Sequence, residues 1–208
     1  MKNLIIIILL ATTFSISAQD KYTDGMQKAM QLWQEQKTTP ASNQFERIAM
    51  AEDDNWLPYY YVALVNTTAS FGEKDKKIIT QQLGKAKEFN DIAKNLSPDN
   101  PELLVMEAMI NTAWIAFDGA TYGMTLSGKN AQLYQQALQL APENPRVVFS
   151  KAEWDMGSAQ YFGKDTAPYC KDVERALELF ETFENDIPFY PNWGKDRAEA
   201  TAKQCKGE

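Results

Sequence analysis

The sequence predicts an all-α protein of about four helical hairpins followed by a C-terminal capping helix. Two helix breaks of nearly the same sequence, at residues 96–101 and 140–145, lie 44 residues apart. Ahead of each break, small and bulky residues recur in the pattern A-x3-F-x2-A-x4-P or a degraded form of it. Apolar residues follow the period of a helix rather than the alternation of a strand. A chain of 208 residues can bury a sizeable core in such an array.

Each break ends one helix and starts the next. Pro98 and Pro142 cannot continue a helix, because proline has no backbone N–H to donate. The Asn-Pro pairs at 100–101 and 144–145 then supply a capping side chain and a first helical residue that needs no amide. The units defined in this way lie near residues 22–53, 56–98, 101–142 and 145–188.

Every unit is predicted to hold two helices. First helices are expected near 22–36, 56–71, 101–117 and 145–162, and second helices near 40–52, 76–96, 130–141 and 167–186. Hairpin tips are expected at 72–76, 118–129 and 163–166, which are rich in Gly, Asp and Lys. A polar cap helix near 193–205 follows the breaks at Pro188 and Pro191. The first helices carry alanine where helices would cross: Ala29, Ala63, Ala108 and Ala152.

This pattern resembles the second helix of the tetratricopeptide repeat (TPR) family, and the chain is similar to small exported bacterial proteins built from that repeat. Each of the last three crossing alanines stands 22 residues after the pattern position of the preceding unit, as in the 34-residue family repeat. The later units depart from the family, because ten to twelve extra residues separate their two helices. The resemblance implies a right-handed helical-hairpin solenoid that binds a partner, without naming the partner.

The resemblance also implies a concave groove on the first helices. The family positions fall here on a largely apolar, Met-rich set with one carboxylate: Met26, Met30, Trp33, Tyr60, Leu64, Thr67, Val105, Met109, Thr112, Phe149, Glu153 and Met156. Such a surface suits peptide docking. The alternative is that these side chains belong to the core, beneath long tip loops.

A polar column stands where the family usually has a bulky aromatic residue. It consists of Asn66, Asn111 and Asp155. Polar groups between packed helices need hydrogen-bond partners. They are expected to form a buried ladder along the array or to line a polar ligand site.

Composition excludes several functional classes. The formal net charge of −7 and the lack of a basic patch argue against nucleic-acid binding. The absence of histidine excludes His-based catalytic triads and His-ligated metals or haem. The candidate pairs Glu153–Asp155 and Asp172–Glu174 are each two residues apart and so point to different helix faces, and we expect no enzyme, no cofactor and no metal site.

The N-terminus predicts export. Residues 1–18 combine Lys2, an apolar stretch and small residues near Ala18, as in a cleaved secretory signal peptide. The apolar stretch is short for an uncleaved membrane anchor, the alternative, and no other segment could span a membrane. No cysteine follows the cleavage site as in a lipoprotein, so we expect a periplasmic or secreted protein. There, Cys170 and Cys205 are expected to pair, because an antiparallel cap helix brings them together; the alternative is two buried thiols.

The sequence therefore predicts an exported module that binds a protein or peptide in its groove. The alternative is a periplasmic protein that binds a small molecule or a glycan, which the dense aromatic residues would also suit.

Overall fold

The computed structural model describes residues 20–207, and every regular element among them is helical. The predicted all-α class is confirmed, whereas the predicted leader, residues 1–18, lies outside the described residues. The helices are α1 (20–34), α2 (Thr38–Ala51), α3 (Trp56–Ser70), α4 (Lys76–Leu96), α5 (Pro101–Phe117), α6 (Gly119–Leu140), α7 (Pro145–Tyr161), α8 (Cys170–Thr182) and α9 (Lys195–Lys206), with a 3-10 turn at Ala167–Tyr169.

The helices form antiparallel hairpins. Consecutive helices from α2 to α9 pack together, and α3 also packs against α5, and α5 against α7. Because short connections reverse the chain after each helix, α3, α5 and α7 run in the same direction. We call the end with turns at residues 71–75, 118 and 162–169 the tip end. The end with turns at 52–55, 97–100 and 141–144 is the base end.

Asparagine side chains start three of the first helices, and the sequence predicts two of these caps, Asn100 and Asn144. Asn55, Asn100 and Asn144 are the N-caps of α3, α5 and α7, and each Oδ1 accepts a bond from the backbone N–H two residues later. Pro101 and Pro145 begin α5 and α7, where the missing amide costs nothing. The repeated break is therefore a repeated capping device.

The recurring small residues let the helices approach closely. The alanines predicted at the helix crossings are completely or almost completely buried, and so are Ala41, Ala86 and Ala176 of the second helices. Phe45 of α2 stacks on Tyr61 of α3, with ring centroids 5.1 Å apart. Each large apolar side chain buried in this way contributes about 1.5–3 kcal/mol.

The predicted tip loop at residues 118–129 is instead helical. Helix α6 starts at Gly119, so the second helix of this unit begins eleven residues before its predicted start at 130. The Asp118 side chain caps α6 by accepting bonds from the backbone N–H and the hydroxyl of Thr121. The ring of Tyr122 packs on Trp114, 4.9 Å between centroids. This cap and this contact offset the helix-weakening glycines on which the loop prediction rested.

The two C-terminal helices differ from the prediction in where they begin and end. Helix α8 is shorter than expected, and α9 starts after Gly194, whose φ of 109° suits glycine. A disulfide joins Cys170 of α8 to Cys205 of α9, with the Cα atoms 5.8 Å apart. The predicted cysteine pairing is confirmed.

Candidate functional site

A segment between α8 and α9, residues 183–194, lies across the base end; we call it the strap. Its Phe189 packs edge-on against Tyr22 of α1, 5.7 Å between centroids, and its backbone carbonyl accepts a 2.9 Å bond from the Tyr61 hydroxyl. The Trp193 Nε1 donates to the Tyr60 hydroxyl at 2.6 Å. The strap therefore connects the C-terminal hairpin to the first helices of the N-terminal half.

Beneath the strap lies a buried ion pair. The Arg146 guanidinium donates from Nε to both carboxylate oxygens of Glu102, at 2.9 and 3.0 Å, and from Nη2 to Oε1 at 2.7 Å. Asn144 Nδ2 donates to the same Oε1 at 2.7 Å. The side chains are only 2% (Arg146) and 0% (Glu102) exposed. This pair links the first turns of α5 and α7, and such burial requires the geometry to satisfy both charges.

Aromatic rings of the strap cover the guanidinium. The centroids of Phe183 and Tyr190 lie 5.1 and 5.3 Å from Arg146 Cζ, within cation–π distance. Burial alone would lower the pKa of Arg146, but the charge of Glu102 raises it, so the guanidinium stays charged. Burial raises the pKa of Tyr60 well above 10, so its hydroxyl stays neutral as it accepts from Trp193. These groups hold the base end together.

A cavity of about 550 Å³ opens beside this cluster, between the α6–α7 turn and the end of α8. Its volume falls within the range of small-molecule sites, about 300–1,000 Å³. Its lining combines prolines and rings with two exposed carboxylates: Pro101, Ala141, Pro142, Glu143, Asn144, Leu179, Thr182, Phe183, Glu184, Asn185 and Tyr190.

The tip end carries a different kind of surface, with exposed apolar side chains from three successive hairpins. Met124 at the start of α6 is 95% exposed, and the contacting rings of Tyr161 and Phe162 at the end of α7 are 81% and 70% exposed. Phe71 and Ile78 add exposed apolar area from the α3–α4 hairpin. We call these five residues the tip surface. Exposed apolar residues of this size, gathered at one end, are typical of a binding surface.

Lysines accompany the tip surface. Lys74, Lys76 and Lys77 are exposed where α4 begins. The pKa of Asp118 is lowered chiefly by the hydrogen bond from the Thr121 hydroxyl and further by the charge of Lys76. Lys76 therefore lies near the α5–α6 turn, so lysines border the apolar side chains together with the carboxylates of Glu73, Asp75 and Asp118.

Half of the predicted groove residues lie in the core. Met26, Tyr60, Leu64, Thr67, Val105 and Phe149 are buried, and Met30, Trp33, Met109, Thr112, Glu153 and Met156 are partly exposed. The strap contacts Tyr60 directly. Glu153, the predicted groove carboxylate, accepts a bond from Arg197 of α9, although burial keeps its pKa raised. Contacts within the chain therefore already use most of these side chains.

The polar column forms separate pairs rather than a continuous ladder. Asn66 donates to Ser42 of α2 and to the carbonyl of its own helix at Val62. Asn111 donates to Asn130 of α6, and Asp155 pairs with Lys151 one turn earlier in α7. Each partner comes from the same helix or an adjacent one, which leaves each member locally satisfied.

Among residues 20–207, no group of three or more acidic or cysteine side chains is placed to hold a metal ion. No helix in this range is long and apolar enough to cross a membrane.

Sequence reasoning missed the strap and the ion pair. The strap belongs to no repeat, so the 44-residue period gives no information about it. The ion pair left a trace, because Glu102 and Arg146 follow the two Asn-Pro pairs at equivalent positions with opposite charges. Opposite charges at matched repeat positions are a signal of contact between neighbouring units.

Neither a protein-family model nor a curated protein matches the sequence. The fold is similar to that of the HusA haemophore from Porphyromonas gingivalis, with a TM-score of 0.78 over 89% of this chain and 93% of the haemophore chain. The two sequences are 20% identical, so this likeness shows the fold alone.

The comparison corrects the main functional prediction. The expectation of a module that binds a protein or peptide in its groove is wrong, because the structural neighbour is a haemophore. The physical reason lies in the strap, which occupies the base of the first helices where the sequence predicted an open groove.

Proposed function

We propose that the protein is an exported carrier of a small, flat, amphipathic molecule of the haem class. The observation that carries this proposal is the likeness of the fold to a haemophore over nearly the whole length of both chains. A disulfide between α8 and α9 agrees with export to an oxidising compartment.

The tip surface is the part of the molecule that best suits such a ligand. A porphyrin is a wide apolar disc with carboxylates on one edge. Met124, Tyr161 and Phe162 offer exposed apolar contacts to such a disc. Lys76 and Lys77 at the start of α4 offer charges to the carboxylates.

The base cavity suits this ligand less well. Glu143 and Glu184 are exposed among its lining residues, and no lysine or arginine between residues 20 and 207 lines it. Carboxylates of the ligand would meet like charges there, which disfavours binding.

The side chains present limit which groups could ligate the iron of a haem. With no histidine in the sequence and both cysteines in a disulfide, the remaining haem ligands of common type are tyrosine and methionine. Tyr161 and Met124 are the most exposed side chains of these two types among the described residues, and both lie at the tip end. The residues present therefore fit haem binding through a phenolate or thioether, supported by apolar contact.

The test is a titration of residues 19–208 with haemin, followed by the Soret absorbance and by tryptophan quenching. We expect saturable binding that weakens by about thirtyfold in the Met124→Ser, Phe162→Ser double variant, because each side chain contributes about 1 kcal/mol when partly covered. The matched control is Met50→Ser with Ile187→Ser, two exposed apolar residues at the base end. This control should bind as the unmodified chain does.

Two results would overturn the proposal: no saturable binding of haemin, or equal losses in the tip and base variants. Titration with metal-free protoporphyrin IX separates the contribution of iron ligation to the affinity from that of contact with the ring. If iron ligation contributes, haemin binds more tightly than the metal-free ring, and Tyr161→Phe or Met124→Leu shifts the Soret maximum.

We also infer that the hairpins stack as a right-handed solenoid of the tetratricopeptide type and that the chain has no enzymatic activity. The parallel packing of α3, α5 and α7 supports the first inference. The use of the buried charged groups in structural contacts supports the second.

A further inference from the structure

We propose that the base cavity is a second, independent site that binds a small organic cation, such as a primary amine with an apolar body. The cavity and the tip surface lie at opposite ends of the helices, so this site does not depend on the proposed haem-class ligand. Its volume of about 550 Å³ accommodates a molecule of metabolite size.

The walls of the cavity favour positive charge. Glu143 and Glu184 come from two different elements, one in the α6–α7 turn and the other just beyond α8. Helices α6 and α8 end at this cavity and α5 and α7 begin there, so the partial charges of the helix ends offset one another and the carboxylates decide the sign. A cation in the cavity therefore has two carboxylates among its lining residues.

Positive charge already present nearby does not cancel this preference. The charge of Arg146 is neutralised by Glu102, with which it forms three hydrogen bonds. Arg175 donates to the carbonyl oxygen of Pro142 at 3.0 Å and moderates the negative potential at one wall, but it does not line the cavity. The amino ends of α5 and α7 are capped by Asn100 and Asn144.

The apolar lining residues favour a ligand with an apolar group next to its charged group. Phe183, Tyr190 and Leu179 line the cavity together with Pro101 and Pro142. Phe183 and Tyr190 already hold the guanidinium of Arg146 at cation–π distance, which shows that these rings are suited to contact a cation. A ring or short alkyl chain next to the amine would cover the prolines and Leu179.

The experiment compares three probes of the same shape: 2-phenylethylamine, 2-phenylethanol and 3-phenylpropionate. Binding to isotopically labelled protein is followed by NMR shifts of the side-chain amides of Asn144 and Asn185 and the methyls of Leu179. We expect the amine to bind with a Kd near or below about 1 mM and about tenfold more tightly than the alcohol. The anionic probe should bind most weakly.

Two double variants complete the test. Glu143→Gln with Glu184→Gln should remove the advantage of the amine over the alcohol. Glu174→Gln with Glu178→Gln removes the same charge from exposed positions of α8 outside the cavity and should preserve that advantage.

The proposal fails if the amine and the alcohol bind equally, if both double variants behave alike, or if the shifts lie away from the cavity. It also fails if the amine does not bind by about 10 mM. Haemin titration of the Glu143→Gln, Glu184→Gln variant should be unchanged, so failure at this site is distinguishable from failure at the tip surface.

Discussion

At the scale of single residues, Arg146 shows how a charge can be accommodated in the core of this fold. It is among the largest fully buried side chains described, and Glu102 supplies its counter-charge. Removing one member leaves the other charged and buried, so Arg146→Met should lower the free energy of unfolding by about 3–5 kcal/mol. Glu102→Leu should cost a similar amount. Urea unfolding of both variants measures the loss.

The double variant Glu102→Leu, Arg146→Met tests the physical reason. Because it leaves no unpaired charge, its loss should be clearly smaller than the two single losses combined. The control is Lys87→Met, which breaks the exposed Lys87–Asp91 pair and should change stability by less than about 1 kcal/mol. Additive losses in the double variant would show that the pair is not coupled.

The sequence predicts the roles of individual residues where those roles depend on nearby residues in the chain. The capping asparagines and crossing alanines were predictable, because a helix start and a close helix crossing each need particular residue types. The burial of Glu102 was not, because a glutamate in the first turn of a helix is ordinarily solvated. Arg146 and Asn144, more than 40 residues away in the sequence, together with the strap that covers Arg146, make this glutamate part of the core.

At the scale of elements, helices with clear stop signals were predicted closely. The predicted helices at 76–96 and 101–117 match α4 and α5, since Asp75 and Asn100 cap them and a proline or turn follows. The start of α6 was missed, because Gly123 and Gly128 resemble loop residues and the stabilising contact of Tyr122 with Trp114 is tertiary. The strap was also missed, because no repeat pattern describes it.

The disulfide gives a prediction for α9. The bond closes a loop across 35 residues, so replacing both cysteines by alanine should cost about 2–4 kcal/mol of stability. Most of α9 is polar, and Ala198 and Ala202 are its buried residues, so this helix should lose its protection against hydrogen exchange first. Unfolding followed by circular dichroism, together with exchange mass spectrometry, measures both effects.

Reduction of the unmodified protein is the control for that experiment. The reduced chain should match the Cys170→Ala, Cys205→Ala variant in midpoint and in the exchange of α9. If the midpoint does not change when the bond is removed, the packing of α9 on α8 is sufficient without it.

At the scale of the whole molecule, the strap separates this chain from a simple repeat array. In an array each unit contacts only its neighbours, and stability is close to a sum over units. Here Tyr61 bonds to Phe189 and Tyr60 to Trp193, which joins the second hairpin to the region after the last. Phe189 adopts a φ of 63° to make these contacts, a conformation that is unfavourable for a ring-bearing residue and must be held by its surroundings.

The strap should therefore make the two halves unfold together. In the unmodified protein we expect α1–α3 and α7–α8 to lose hydrogen-exchange protection at the same denaturant concentration. Trp193→Ala removes the ring and the bond to Tyr60, which should cost about 3–5 kcal/mol. It should also let α1–α3 open before α7–α8, because only the contacts of Phe189 with Tyr22 and Tyr61 then tie the strap to the first helices. Exchange mass spectrometry across a urea series resolves the two regions.

The control is Phe71→Ala, which truncates a ring at the tip end, outside the strap, and should leave the unfolding of the two regions coincident. Separate transitions in the unmodified protein would show that the strap does not couple the halves, and coincident ones in Trp193→Ala would show that Trp193 is not needed for the coupling.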